Sequence, residues 1–320
     1  MNILIFSKGG GMFKIVIATV GCLISLNICA QEKISVCYPE EGLQSCIDTS
    51  ETNRISLTEG IYNTSGIHIP SNITLIIPKK SILRFGDNVE LDSNMFGGKA
   101  NSVLSSIGTK DALVENVHII IDGEIDANKR IHTYENGGAE ALDWKWVRNS
   151  SISGSGIIHS ANGDGIDIDA TYNSIISGVT VQNNGGSGVH FGSPRPIVGS
   201  VGNVVINVTS INNGFKSKKN GFDLSWPNPD GAIFVNCKAV DNYRNFQIEA
   251  SGGAIYNSES IDNGKVIDED DISGADYAFI NGDNISNKNF ISNKTKILLK
   301  RDLKGFLRMY TPNHLKDIKY

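Results

Sequence analysis

Five short segments of the chain alternate apolar and polar residues in the same phase. They are Ala141-Leu142-Asp143-Trp144-Lys145, Gly165-Ile166-Asp167-Ile168-Asp169, Gly188-Val189-His190-Phe191-Gly192, Gly221-Phe222-Asp223-Leu224-Ser225 and Asn245-Phe246-Gln247-Ile248-Glu249. Period-two alternation marks a strand with one buried face. Between them runs a second strand-like signature, an aliphatic residue followed by polar ones: Val179 to Asn183, Ser210 to Asn213, Ala239 to Asn242 and Ser260 to Asn263. The intervening turns are rich in Asn and Gly, which tolerate left-handed backbone. One unit spans roughly two dozen residues, the length of a solenoid coil. The pattern predicts an all-β chain folded as a right-handed parallel β-helix.

The N-terminal part agrees with this reading. Ile55-Ser56-Leu57, Ile67-His68-Ile69, Ile73 to Ile77 and Val117 to Ile121 are short strand runs separated by Gly, Asn and Pro. A helix over Glu41 to Thr49 is expected to form an N-terminal cap, because a solenoid needs its open ends covered. The repeat holds over 31–265 and turns ragged after Val266. One more irregular coil and a basic, amphipathic C-terminal cap, Lys294 to Tyr320, are expected within 266–320.

Composition narrows the class. Of the 320 residues 40% are hydrophobic, enough for a real core, and 34 are Gly, which argues against a helical protein. The net charge of −5 supplies no global basic field, so a nucleic-acid partner is not expected. Met12-Phe13-Lys14 followed by an apolar run from Ile15 to Ile28 reads as a secretory signal occupying residues 1–30, with Met12 a candidate start. The run is short of the ~20 apolar residues of a membrane span, so no stable span is expected in the mature chain. A secreted or periplasmic location follows. In that oxidising setting Cys37 and Cys46 can pair, while Cys237 reads as a buried free thiol.

Stacking the coils in register gives a map of the surface. Apolar positions point inward, and the central outward column is Asp143, Asp167, His190, Asp223 and Gln247. One flank is Glu140, Asp164, Ser187, Asn220 and Arg244; the other is Lys145, Asp169, Gly192, Ser225 and Glu249. Like charges on neighbouring rungs destabilise a sheet and raise a carboxyl pKa, a standard route to a general acid. Asp167 and Asp223 lie two rungs, about 10 Å, apart in backbone terms. With side-chain lean this approaches the ~6.5–9.5 Å of inverting glycosidases. His190 between them titrates near neutrality. Asp167, His190, Asp223 and Asp164 are therefore the candidate catalytic residues. Aspartate also decorates such surfaces for solubility alone, which is the plain structural reading of each residue taken singly. No cofactor is required, although Asp164, Asp167 and Asp169 are also a candidate calcium set, since hard cations want clustered carboxylates. Asp143, Asp169, Gln247 and Glu249 line the same groove as candidate substrate-binding residues. Trp226 can stack on a sugar face, and Arg195, Lys218, Lys219 and Arg244 can neutralise uronate carboxylates. The loop Lys129 to Tyr134 is a further source of a base overhanging the groove.

Over roughly Ile34 to Lys265 the chain resembles the pectate lyase-like superfamily of right-handed parallel β-helix proteins. Asn72 to Ile76 and Asn116 to Gly123 look like its early coils, and Asn162 to Ile168 looks like the Asn-Thr-Asp-Gly-Ile-Asp stretch of polygalacturonases. Asp164 matches the first catalytic aspartate of that family. The other motifs are not kept: the paired aspartates fall at Gly186 and Ser187, the Gly-His-Gly at Lys219-Asn220-Gly221, and the Arg-Ile-Lys at Gln247-Ile248-Glu249. The resemblance implies the fold and a polysaccharide partner, because this fold carries hydrolases, lyases, epimerases and adhesins alike. The leading expectation is an exported carbohydrate-active enzyme cleaving glycosidic bonds, with hydrolysis ahead of elimination. The alternatives are a polyuronate lyase or C5-epimerase, and a non-catalytic glycan-binding or surface β-helix.

Overall fold

The computed structural model describes residues 33–89, 101–129, 139–192, 199–217, 219–225, 232–248 and 254–263, with three further strands, Tyr277–Phe279, Ile285–Asn287 and Ile297–Leu299. Residues 1–32, which include the expected signal segment, lie outside the described residues.

The chain winds through three parallel sheets in turn. One coil shows the path. Ser151–Ser153 lies in the first sheet, Ile157–His159 in the second and Ile166–Asp169 in the third, and Ile175–Ser177 returns to the first. This is a right-handed parallel β-helix, as the repeat predicts. The third sheet has nine described strands, and those carrying the alternating pattern occupy its middle.

The register expected from the sequence is the one observed. Asp143 pairs with Asp167, Asp167 with His190, His190 with Asp223, and Asp223 with Gln247. The period of two then drives the neighbours inward. Trp144, Ile168, Phe191 and Leu224 form one buried internal stack, and Leu142, Ile166, Val189, Phe222 and Phe246 a second. Ile248 keeps the register of the first stack, but its side chain lies outside the described residues. Phe222 and Phe246 stack with centroids 4.9 Å apart, and Phe234 meets both from the first sheet. Strands Asn203–Ile206 and Ala232–Val235 depart from alternation. Both faces are buried there, and Val204, Ile206, Ile233 and Val235 cluster apart from the main core.

Asparagine makes the corners. Asn183 and Asn212 turn the chain from the second sheet into the third with φ of 57° and 53°. Asn207, Asn236 and Asn257 make the turn from the first sheet into the second in the same way. Asparagine is one of the few residues with a Cβ that adopts this conformation readily. Inside the corner next to the third sheet, Asn184, Asn213 and Asn242 form a buried ladder. The backbone N–H of Asn184 donates to Asn213 Oδ1 at 3.0 Å, and that of Asn213 to Asn242 Oδ1 at 2.9 Å.

At the N-terminal end a 3-10 turn, Pro39–Glu41, precedes the helix Leu43–Thr49, so the helix starts two residues later than the sequence suggests. Leu43 and Ile47 join the main core. The Gln44 carboxamide pairs with both backbone groups of His68, accepting from its N–H at 2.8 Å and donating to its carbonyl at 3.1 Å. His68 belongs to the outermost strand of the third sheet, so a side chain from the helix takes the place of a further rung. Cys37 and Cys46 form a disulfide with Cα atoms 6.0 Å apart, and Cys237 is a buried free thiol whose pKa burial pushes up to about 12. Beyond residue 265, Tyr277–Phe279 and Ile297–Leu299 continue the third sheet, and Ile285–Asn287 the first. Sheet pairing thus extends into the stretch expected to form the C-terminal cap. The rest of 264–320 lies outside the described residues.

Candidate functional site

The third sheet brings four of the expected residues together around one imidazole. His190 Nδ1 lies 3.1 Å from Asp167 Oδ1 and 3.1 Å from Asp164 Oδ2, while Nε2 faces Asp223 Oδ2 at 3.8 Å. The elements explain the convergence. Asp167 and Asp223 flank His190 on adjacent parallel strands, and Asp164 reaches in from the turn before Ile166–Asp169. Asp164, Asp167 and His190 retain side-chain exposures of 15%, 13% and 18%, whereas Asp223 retains 1%. The accessible trio is therefore Asp164, Asp167 and His190. Asp223 stands behind it, receiving hydrogen bonds from Ser187 Oγ at 3.4 Å and Ser225 Oγ at 3.3 Å.

Two glycines hold the flanking carboxyls in place. Glu140 and Asp164 occupy equivalent positions on successive coils. Each carboxylate accepts a backbone N–H one coil on, Glu140 from Asp164 and Asp164 from Ser187. A Cβ at Gly163 would meet the Glu140 carboxyl at 2.6 Å, and one at Gly186 would collide with Asp164 Oδ1. Only a residue without a side chain lets the acids settle onto the next turn.

The electrostatics differ in one respect from the expectation of a protonated column aspartate. Burial alone would lower the His190 pKa, but Asp164, then Asp167 and Asp223, raise it well above the ordinary imidazole value. In return, although burial pushes the Asp167 carboxyl up, the His190 hydrogen bond and charge, with Lys145 and Lys219, hold it below its usual value. The cluster thus keeps its proton on the ring and not on Asp167. Like-charge repulsion acts at the edge of the cluster. Burial, with Asp164, Asp167 and Asp143, lifts Glu140 well above the carboxylate range, and burial with Asp167 lifts Asp169 to about 8. Lys145 bridges Asp143 at 3.2 Å and Asp169 at 4.0 Å. Burial opposes its charge, but Asp143, Asp167 and Asp169 outweigh burial and hold it protonated. Lys145 also lowers the Asp169 pKa, but burial and Asp167 outweigh it.

The remaining candidates fall in different places. Asp143 is in the predicted column but fully buried against Lys145. Arg244 is turned into the wall, with its guanidinium 5.7 Å from the Tyr243 ring centroid and donating to Gln247 Oε1; both Arg244 and Gln247 are buried. Lys219 acts on the site through its charge on Asp167. Lys129 donates to the Asn183 carbonyl at the corner, and burial lowers its pKa. Arg195, Lys218, Trp226, Glu249 and the rest of the loop after Lys129 lie outside the described residues. Among the described residues, the group of three whose metal-ligating atoms lie within 4.8 Å of one another is Asp164, Asp167 and His190. Two members of the expected calcium set, Asp164 and Asp167, belong to it, with His190 in the place expected for Asp169. Ser225 and Glu140, the contributors that sequence reasoning passed over, were visible only as flanking positions in the same register.

No protein-family model matches the sequence, and no curated protein matches it. Solved structures share its fold. An alginate lyase from Paenibacillus sp. str. FPU-7 superposes with a TM-score of 0.50 at 13% identity, over 82% of this chain and 97% of that one. PfbA, a surface adhesin of Streptococcus pneumoniae, gives 0.48 at 12% identity over 80% and 71%. The pectate lyase Pel9A gives 0.46 at 13% identity over 80% of this chain, which spans only 62% of that lyase. At 13% identity the likeness to the alginate lyase concerns the right-handed parallel β-helix fold alone.

Proposed function

We propose that the protein is an exported enzyme that cleaves glycosidic bonds in a polysaccharide by hydrolysis. The observation that carries the reading is the half-buried His190 held at 3.1 Å by both Asp164 and Asp167 in the middle strands of the third sheet. A partly exposed protonated imidazole is a proton donor for a leaving sugar oxygen, and an ionised carboxylate beside it serves the anomeric centre. Hydrolysis is favoured over elimination by the same protonation pattern. Elimination needs an unprotonated base to take the proton beside the uronate carboxylate, and carboxylate neighbours favour the protonated forms of His190 and Lys145. A disulfide between Cys37 and Cys46 is consistent with an oxidising compartment outside the cytosol.

The test is a screen of neutral and anionic polysaccharides for new reducing ends, with ultraviolet absorbance of unsaturated products read in parallel. Release of reducing ends without that absorbance is the expected result. His190→Gln and Asp167→Asn should then each lower turnover by roughly 10²–10⁴-fold with the fold intact by circular dichroism. Wild-type turnover in both variants ends the proposal, and unsaturated products would reassign the chemistry to elimination.

A further inference from the structure

Ser225 follows strand Asn220–Leu224 directly and is only partly buried. Its Oγ lies 3.2 Å from His190 Nε2, on the side of the ring opposite to Asp167, whose Oδ1 is 3.1 Å from Nδ1. A hydroxyl, an imidazole and a carboxylate connected in series through the two ring nitrogens is the arrangement that activates a serine. The base sits within ~2.6–3.2 Å of the hydroxyl and is itself oriented by a third group. Glycosidic hydrolysis as described above has no use for a hydroxyl at Nε2.

We propose that Ser225, His190 and Asp167 form a nucleophilic triad that hydrolyses small acyl esters carried on sugar hydroxyls, a second activity of the same groove. The sugar part rests on the polysaccharide reading above; the acyl-transfer chemistry does not. Ser225 Oγ attacks the ester carbonyl carbon as its proton passes to His190 Nε2. The bond from that carbon to the sugar oxygen breaks, and the sugar oxygen takes the proton from Nε2. Water, giving a proton to the same nitrogen, then attacks the acyl–Ser225 carbonyl, and the carboxylic acid leaves as the serine hydroxyl is restored. Asp167 holds the Nδ1–H throughout, and Asp164 offers the same nitrogen a second acceptor.

The charges around the ring favour one of its two protonation states. Asp164, Asp167 and Asp169 face His190 from the preceding coil and Asp223 from the following one, while Glu140, Lys145 and Lys219 act on those carboxylates. The acidic surplus favours the imidazolium, in which Nε2 donates to Ser225 Oγ and the hydroxyl donates onward to Asp223 Oδ1 at 3.3 Å. Only the neutral ring can accept the serine proton. Ester hydrolysis therefore needs the neutral ring, and glycosidic hydrolysis the protonated one.

The experiment treats the intact protein with a fluorophosphonate probe from neutral to alkaline pH and maps adducts by peptide mass. Acetate release from an O-acetylated polysaccharide is followed over the same range. The expected result is an adduct on Ser225, together with acetate release of the same pH profile. Both should fall by roughly 10²–10⁴-fold in His190→Gln. A folded wild-type protein unlabelled at Ser225 across that range, or labelling that persists in His190→Gln, overturns the proposal. The readouts separate it from the glycosidic reading. Ser225 adducts without reducing ends from any polymer would leave the triad standing alone, and reducing ends without adducts would remove only the triad.

Discussion

A protonated histidine enclosed by carboxylates ties stability to pH with a definite sign. Folding raises the His190 pKa, so its contribution is complete below the unfolded value of about 6.5 and is lost as pH climbs through the folded value. Glu140 and Asp169 act in the same sense, because the native state keeps protons on them that the unfolded chain has already released; for Asp169 that window extends up to about 8. Asp167, depressed by the imidazolium, works at the other end, and its contribution disappears as pH falls below the ordinary carboxylate range. The denaturant midpoint should therefore decline from neutral to alkaline pH, and His190→Gln should flatten that decline. A midpoint flat with pH in the wild type would contradict the assignment of protons made here. The column itself was legible in the sequence, since a period of two fixes which residues share a face once the coils are aligned. The depth of each residue was not. Asp143 and Asp223 sit in the same column as Asp167 yet are closed off, because burial depends on which neighbour's side chain folds over them. The Ser225–His190 contact likewise depends on rotamers, which no pattern of residue types records.

Among the elements, the corners carry more of the specificity than their size suggests. The buried asparagine ladder satisfies turn amides that no strand can reach. Asn213 Oδ1 accepts from both the backbone N–H and the side-chain amide of Asn184, and its own Nδ2 donates to the Val181 carbonyl at 3.0 Å. Asn213→Ala would leave those groups buried without partners. An unsatisfied buried group costs about 1–3 kcal/mol, so a loss of at least that size is expected in chemical denaturation. A stability unchanged by the substitution would mean that water replaces the side chain. The sequence announced turns at these places through its Asn and Gly content. It did not distinguish the asparagines that adopt the left-handed conformation on the outside, such as Asn183 and Asn212, from those buried just after them. Both kinds are Asn, often adjacent in sequence, and only the path of the chain separates their roles.

For the molecule as a whole, the N-terminal disulfide and helix lie at one end of a long array of coils. Cys37 and Cys46 are nine residues apart, and cross-linking so short a loop is worth about 2–3 kcal/mol on a chain-entropy argument. Reduction should lower the melting temperature without altering the groove chemistry, because the bond lies at the end of the sheets and the His190 cluster in their middle. Equal loss of thermal stability and of activity on reduction would show that the end and the centre are not independent. That position has a kinetic side. In an array where each coil touches only its neighbours, opening starts at the termini and advances one coil at a time. The four strands that carry Asp143, Asp167, His190 and Asp223 have further coils of the third sheet on both sides. Fraying must consume those outer turns before it reaches the imidazole, so the backbone amides around His190 should be among the last in the protein to exchange their hydrogens with solvent.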